Sequence, residues 1–143
     1  MKKFNYLQFL VLFAIVPVIM TACKKDDDKA PNSVIIVSLD PESPATLNFG
    51  DYVVILTDYH VANSEGARIW VQPYTAGEKS PGYLYSKSSI YTGSGKREVG
   101  ISVEEGDDPV VVVDQLRIIC TTPDQSETLL EEFRDVNYTF SND

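Results

Sequence analysis

The feature that most constrains this chain is the spacing of its apolar runs from Ser33 onward. Each run is short and rich in Val, Ile, Tyr and Thr. Gly, Pro, Asn and Asp separate the runs at intervals of roughly eight to twelve residues, which is the spacing of strands joined by turns. No run keeps a helical repeat over ten residues. The pattern therefore predicts an all-β fold, an antiparallel sandwich of about seven strands.

The apolar runs divide into predicted strands and one short edge segment. The strands cover residues 34–39, 52–59, 68–74, 88–91, 97–103, 115–121 and 133–140, and the edge segment covers residues 46–49. The breaks between them fall at residues with turn chemistry, such as Pro41 to Pro44 and Gly93 to Gly95. This alternation of short strand and turn is typical of a sandwich.

Alternation within the strands assigns side chains to faces, because neighbouring residues of a strand point to opposite sides. In strand 97–103, Val99, Ile101 and Val103 share one face, and this apolar face is predicted to point into the core. Strand 52–59 is apolar on both sides for half its length. We therefore expect it to be a central strand that is covered on both faces.

Length and charge limit the classes of function. The chain has 143 residues, 43% of them hydrophobic, which is room for one domain of ordinary globular composition. It has 12 basic and 21 acidic side chains and a formal net charge of −9. Affinity for nucleic acid comes from clustered Lys and Arg that release counterions, so the charge balance argues against a nucleic-acid partner.

The amino terminus has the pattern of a targeting segment. Two lysines open the chain, and an almost unbroken apolar run extends from Leu7 to Met20. The run ends in Met20-Thr21-Ala22-Cys23, which resembles the lipobox of bacterial lipoproteins. The resemblance implies that residues 1–22 are a lipoprotein signal peptide and that Cys23 is acylated. The alternative is a retained membrane helix over residues 6–22, which is close to the shortest span of a bilayer.

A charged, Pro-containing tract follows the cysteine and predicts a flexible tether over residues 23–32. A Lys followed by acidic residues behind Cys23 also resembles the export signal that carries lipoproteins to the outer face of the outer membrane. A plain solvated spacer is the alternative. Residues 33–143 hold 7 basic and 18 acidic side chains. We expect such an acidic module to stand away from an anionic membrane and to face the cell exterior.

Two segments of the body carry a resemblance to a family of domains. The opening from Leu39 to Gly50 and the ending from Val136 to Phe140 look like those of immunoglobulin-like or fibronectin-type-III-like domains of surface lipoproteins. The resemblance covers residues 33–143 and implies an immunoglobulin-like sandwich. It also places Trp70 and Cys120 where an immunoglobulin domain has its core Trp and second Cys.

An aromatic stretch is the candidate ligand-binding region. Flat aromatic rings beside Arg and Gln can stack on sugar rings or serve as a protein hot spot. The candidate residues are Arg68, Trp70, Gln72, Tyr74, Tyr83, Tyr85 and Tyr91. The alternative is that Trp70 is a core residue and that the tyrosines cap the edge of the sandwich.

Other reactive residues give weaker patterns. Cys120 alternates with apolar neighbours and is expected to be a small buried hydrophobe, although a pair with His60, the only His, stays open. A cluster of acidic residues predicts a solvated turn rather than a Ca²⁺ loop, since it lacks spaced ligands: Glu104, Glu105, Asp107 and Asp108. We expect no metal and no cofactor.

Three classes of function fit these features. The first is a non-enzymatic module that binds or scaffolds a partner at the cell surface, with strand edges open to strand addition. The second is a glycan-binding lipoprotein that uses the aromatic surface around Trp70 and residues 83–91. The third is a small hydrolase with two carboxylates about 5 to 10 Å apart in a concave pocket. We favour the first and expect no enzymatic activity.

Overall fold

The computed structural model describes residues 30–142, which form strands and no helix. The strands are β1 (Ser33–Asp40), β2 (Ala45–Asn48), β3 (Tyr52–Val61), β4 (Arg68–Thr75), β5 (Glu78–Lys79), β6 (Tyr83–Tyr85), β7 (Gly93–Val103), β8 (Val110–Thr121) and β9 (Thr128–Ser141). In this part of the chain no helix is long and apolar enough for a membrane span. The predicted signal peptide 1–22, the predicted lipid on Cys23 and most of the tether 23–32 lie outside the described residues.

The strands form two sheets. One sheet has four strands in the order β1, β3, β7, β6, and the other has five in the order β2, β9, β8, β4, β5. Neighbouring strands are antiparallel except for β2 and β9, which are parallel. The predicted all-β sandwich is confirmed, with nine strands rather than seven. When β1 and β2 are counted as halves of one strand, the order is compatible with an immunoglobulin-like domain.

Two prolines divide that first strand between the sheets. β1 pairs with β3 and β2 pairs with β9, while Pro41 and Pro44 lie in the connection. Proline has no N–H to donate to a strand ladder, so the pairing stops there. The buried Tyr138 holds the connection in place, because its hydroxyl donates a hydrogen bond of 2.8 Å to the carbonyl oxygen of Pro41.

The hydrophobic core lies between the inner faces of the two sheets. Alternate residues of the long strands fill it, among them Val53, Ile55, Ile69, Val71, Val99, Ile101, Val103, Leu116, Ile118, Cys120, Tyr138 and Phe140. The predicted core side of strand 97–103 is confirmed. Cys120 is buried among these side chains as expected, and burial raises the pKa of its thiol. A thiol in that setting acts as a packing group rather than a nucleophile.

The expectation that strand 52–59 is covered on both faces is wrong. β3 is central in its sheet, yet its outward side chains face solvent, and Tyr52 and Val54 are 61% and 39% exposed. The sandwich has two layers, so nothing packs on the outer face of the four-stranded sheet among the described residues. Apolar residues on both sides of a strand therefore do not require a third layer.

The predicted strand 88–91 is also wrong. Only Tyr91 pairs, in an isolated bridge with Ala67. Arginine side chains bind the carbonyl oxygens that a neighbouring strand would otherwise use. Arg97 donates to the carbonyl oxygen of Lys87 at 3.2 Å, and Arg68 donates to that of Ser88 at 2.6 Å. The segment is thus held by long-range side-chain contacts that sequence spacing does not predict.

Candidate functional site

The outer face of the five-stranded sheet holds four of the predicted site residues. In β4 every second residue points into the core, and the outward set is Arg68, Trp70, Gln72 and Tyr74, all partly exposed. On the adjacent β8, Ile119 lies opposite Trp70 and Arg117 lies opposite Gln72. Cross-strand partners share a face, so these side chains form one surface. We call this surface the aromatic face.

Trp70 does not occupy the position that the resemblance to immunoglobulin domains gave it. The residue opposite Cys120 is Ile69, which is fully buried and takes the core position. Trp70 follows by one residue and therefore lies on the other side of the sheet. The alternative that Trp70 is a core residue is wrong.

The Trp70 ring forms one wall of a shallow, open depression of about 250 Å³. Tyr85 of β6 lies edge to face with it at 5.3 Å between ring centroids, and Tyr83 stacks on Tyr85 at 5.6 Å. β6 belongs to the other sheet, so the depression lies where the edges of the two sheets meet. We call it the Trp70 depression; its lining is Trp70, Gln72, Lys79, Tyr85, Arg117, Ile119, Thr121, Gln125 and Thr128.

Two polar groups in the Trp70 depression have no hydrogen-bond partner among the described residues. They are the amide oxygen Oε1 of Gln72 and the hydroxyl oxygen Oγ1 of Thr121, and both atoms are shielded from solvent. Thr121 is only 9% exposed. A buried polar group without a partner costs about 1 to 3 kcal/mol. Native proteins rarely leave such groups unpaired.

The charge in the Trp70 depression is positive. Lys79 and Arg117 contribute to its lining, and no carboxylate does. Just outside it, Glu131 accepts a hydrogen bond of 2.6 Å from Nε of Arg117. This bond raises the pKa of Arg117 and lowers that of Glu131. The guanidinium is thereby held in one orientation beside Gln72.

The aromatic face continues past the depression. Tyr74 and Phe133 meet edge to face at 6.1 Å between ring centroids. Arg117 lies over the Tyr74 ring at 5.8 Å and donates a hydrogen bond of 3.0 Å to its hydroxyl. Phe133 is 51% exposed. Arg117 thus connects the Trp70 depression to a second pair of aromatic rings.

Two candidate residues make their contacts away from the Trp70 depression. Nε of Arg68 donates to the carbonyl oxygen of Pro123 at 2.7 Å, and its other bond holds Ser88, so its side chain braces two loops. Tyr91 packs against Tyr59 at 5.2 Å and under Arg97 at 5.0 Å. Neither Arg68 nor Tyr91 lines the Trp70 depression.

Sequence reasoning missed six of the nine residues that line the Trp70 depression: Lys79, Arg117, Ile119, Thr121, Gln125 and Thr128. Arg117, Ile119 and Thr121 are spaced two residues apart on β8, so the sequence alone indicates that they share one face. Their approach to Trp70 depends on the register between β4 and β8, which joins segments about 50 residues apart. Lys79 lies on a strand of two residues, which gives no periodicity.

Other surfaces relate to the remaining function classes. An open cleft of about 370 Å³ between β1 and β9 includes Glu42 and Asp135 in its lining. β1 is an edge strand, and its outward Ile35 and Val37 are 64% and 51% exposed. Among residues 30–142, no three potential metal-ligating side chains gather in one place.

Comparisons of the chain with protein-family models, with curated proteins and with solved structures found no match.

Proposed function

We propose that the protein is a non-enzymatic binding module, carried at the outer membrane by a lipid on Cys23, and that it binds glycan at the Trp70 depression. One observation carries the proposal. The partly exposed Trp70 and two residues that each hold an unpaired polar atom, Gln72 and Thr121, line a single open depression.

The chemistry of a sugar matches these groups. The C–H face of a pyranose packs on a flat aromatic ring, and Trp offers the largest ring of any side chain. Sugar hydroxyls both donate and accept hydrogen bonds, so they can pair with the Gln72 amide and the Thr121 hydroxyl once these side chains rotate toward the depression. The depression is shallow and open. This shape suits a unit within a longer glycan chain better than a small molecule, which buries most of its surface in a closed pocket.

The location rests on the amino-terminal sequence. The apolar run up to Met20 and the ending Thr21-Ala22-Cys23 support lipidation, and the Lys-Asp tract behind Cys23 supports export to the outer face. Covalent lipid on one residue and a tether of about ten residues leave the domain free to reach ligands away from the bilayer.

A protein partner is the second candidate. β1 is an edge strand whose Ile36 carbonyl oxygen accepts a hydrogen bond of 3.1 Å from Arg134, and its side chains Ile35 and Val37 are largely exposed. Exposed apolar edge strands serve for strand addition by a partner chain. We rank a protein partner below a glycan because, among the described residues, no polar side chain of β1 is buried without a hydrogen-bond partner.

A glycan array tests the proposal. The full-length protein, purified in a non-ionic detergent, is compared with Trp70→Ala and with Tyr52→Ala. Tyr52 is a matched control, since it is an exposed aromatic residue on the other sheet. We expect the parent and Tyr52→Ala to bind the same glycans and Trp70→Ala to lose them. Equal binding by all three proteins, or no binding by the parent, would contradict the proposal.

The location is tested separately. Mass spectrometry of the amino-terminal peptide from the native host should show acylated Cys23 and no residues 1–22. Protease added to intact cells should remove the domain. An intact signal peptide would exclude the lipoprotein, and full protection from protease would exclude the outward orientation.

A further inference from the structure

We infer that the glycan bound at the Trp70 depression is acidic and that its carboxylate or sulfate group lies between Lys79 and Arg117. The inference rests on the proposed glycan binding and adds the chemical class of the sugar. It comes from the charges of the depression, which the proposal itself does not use.

The charge distribution of the domain is reversed in the Trp70 depression. Residues 33–143 hold 7 basic and 18 acidic side chains. The lining of the depression holds two of the basic residues, Lys79 and Arg117, and none of the acidic ones. Glu131 beside Arg117 offsets one of these charges, which leaves a local excess of one positive charge that favours an anion.

The register places Lys79 on the same side as the aromatic rings. Lys79 pairs with Tyr74 across β4 and β5, and cross-strand partners share a face. Its neighbour Glu78 pairs with Thr75 and therefore points to the other side. Lys79 makes no ion pair with any described residue, so its ammonium is available to a ligand.

The guanidinium of Arg117 has N–H donors that no described residue uses. Its Nε is used by Glu131 and one Nη1 donor by Tyr74. A guanidinium has five N–H donors in a fixed plane, so three remain. Glu131 offsets part of the positive charge, yet it also fixes the plane of the guanidinium. A planar group held in this way suits a carboxylate or a sulfate, which accept paired hydrogen bonds.

The register spreads these groups along the sheet: Thr121 lies opposite Arg68 and Lys79 lies opposite Tyr74, six residues further along β4, or about 20 Å. Gln72 lies directly opposite Arg117 on the adjacent strand, and Trp70 is two residues from Gln72 on the same face. A sugar unit stacked on Trp70 can therefore bond to Gln72 or Thr121, while the acidic substituent of a neighbouring unit lies between Arg117 and Lys79.

An array of paired sugars tests the inference with the full-length protein. Each acidic oligosaccharide, bearing a uronate, a sialate or a sulfate, is printed beside its methyl-esterified, reduced or desulfated neutral form. We expect binding to the acidic member of a pair and weaker binding in high salt, because salt screens charges. The uronate, sialate and sulfate arms show which acidic group is bound.

Charge variants separate a specific contact from general attraction. Lys79→Gln should weaken binding of the acidic sugar about tenfold, the size expected for one charge-assisted hydrogen bond. Lys79→Arg should restore most of that loss. Lys96→Gln removes the same charge from the other sheet, where Lys96 is exposed, and should leave binding unchanged.

The outcomes distinguish the inference from the proposal that it extends. Equal binding of acidic and neutral partners that still requires Trp70 would overturn the inference and keep glycan binding. Equal losses from Lys79→Gln and Lys96→Gln would also overturn it, since attraction would then be unspecific. Absence of any Trp70-dependent binding would overturn both.

Discussion

The placement of Trp70 makes a quantitative prediction about stability. Trp70→Ala removes a large side chain from an outer face, where it contacts Tyr85 edge to face and lies beside Ile119. An aromatic pair contributes about 0.5 to 1.5 kcal/mol and a cross-strand neighbour about 0.2 to 1 kcal/mol. Trp70 is only partly exposed, so the area that it buries adds about 1 to 2 kcal/mol. We therefore expect Trp70→Ala to lower the free energy of unfolding by about 2 to 4 kcal/mol in all. A core Trp would cost about 3 to 5 kcal/mol.

The adjacent residue provides the comparison. Ile69 is smaller than Trp70 but fully buried opposite Cys120. Ile69→Ala should cost about 2 to 5 kcal/mol, because it leaves a cavity in the core. The assay is urea unfolding of both variants, followed by far-UV circular dichroism because Trp70 is the only Trp and its fluorescence is lost on substitution. A loss of about 5 kcal/mol or more for Trp70→Ala, the upper end for a core Trp, would refute the assignment of Trp70 to the outer face.

Three further predictions concern buried and paired groups. Arg97→Met should cost about 1 to 3 kcal/mol in urea unfolding, because it leaves buried carbonyl oxygens without a donor. Arg97 is buried and donates to the carbonyl oxygens of Ile69 and Lys87 and to the Ser88 hydroxyl. A loss below that of exposed Arg134→Met would contradict this. The bond from Arg117 lowers the pKa of Glu131 in the folded protein. Its stabilisation is therefore present above the ordinary pKa of 4.5 and is lost as the pH falls through the lower folded value. The urea midpoint of Glu131→Gln should lack this decrease at acid pH, and parallel pH curves for the two proteins would count against the ion pair. Iodoacetamide, followed by peptide mapping, should label Cys120 only after unfolding, because the thiol is buried with a raised pKa; labelling of the native protein would show that it is accessible.

The sandwich was predictable because its strongest signals are local. Alternation in strand 97–103 placed Val99, Ile101 and Val103 in the core, and turn residues marked most strand boundaries. Short strands escaped detection for the same reason, since β5 has two residues and β6 has three. The β8 strand also begins earlier than residue 115, because Val110 to Val113 continue the ladder with β9.

The candidate site was predictable only in part. The composition of the aromatic stretch pointed to Trp70 and Tyr85, which do meet. A shift of one residue decides whether a strand residue faces core or solvent, and the resemblance to immunoglobulin domains placed Trp70 on the wrong side. The contacts of Arg117 and Thr121 with this region depend on pairing between distant strands, which no local pattern encodes.

The emission of Trp70 tests glycan binding at the depression most directly, because no other Trp contributes to the signal. The full-length protein is titrated with the glycan selected on the array, with Gln72→Ala and Tyr52→Ala alongside. We predict a saturable change in intensity or wavelength for the parent and for Tyr52→Ala, and a much weaker affinity for Gln72→Ala. A glycan that binds tightly while the emission stays constant, or that binds Gln72→Ala as well as the parent, would show that its site lies elsewhere.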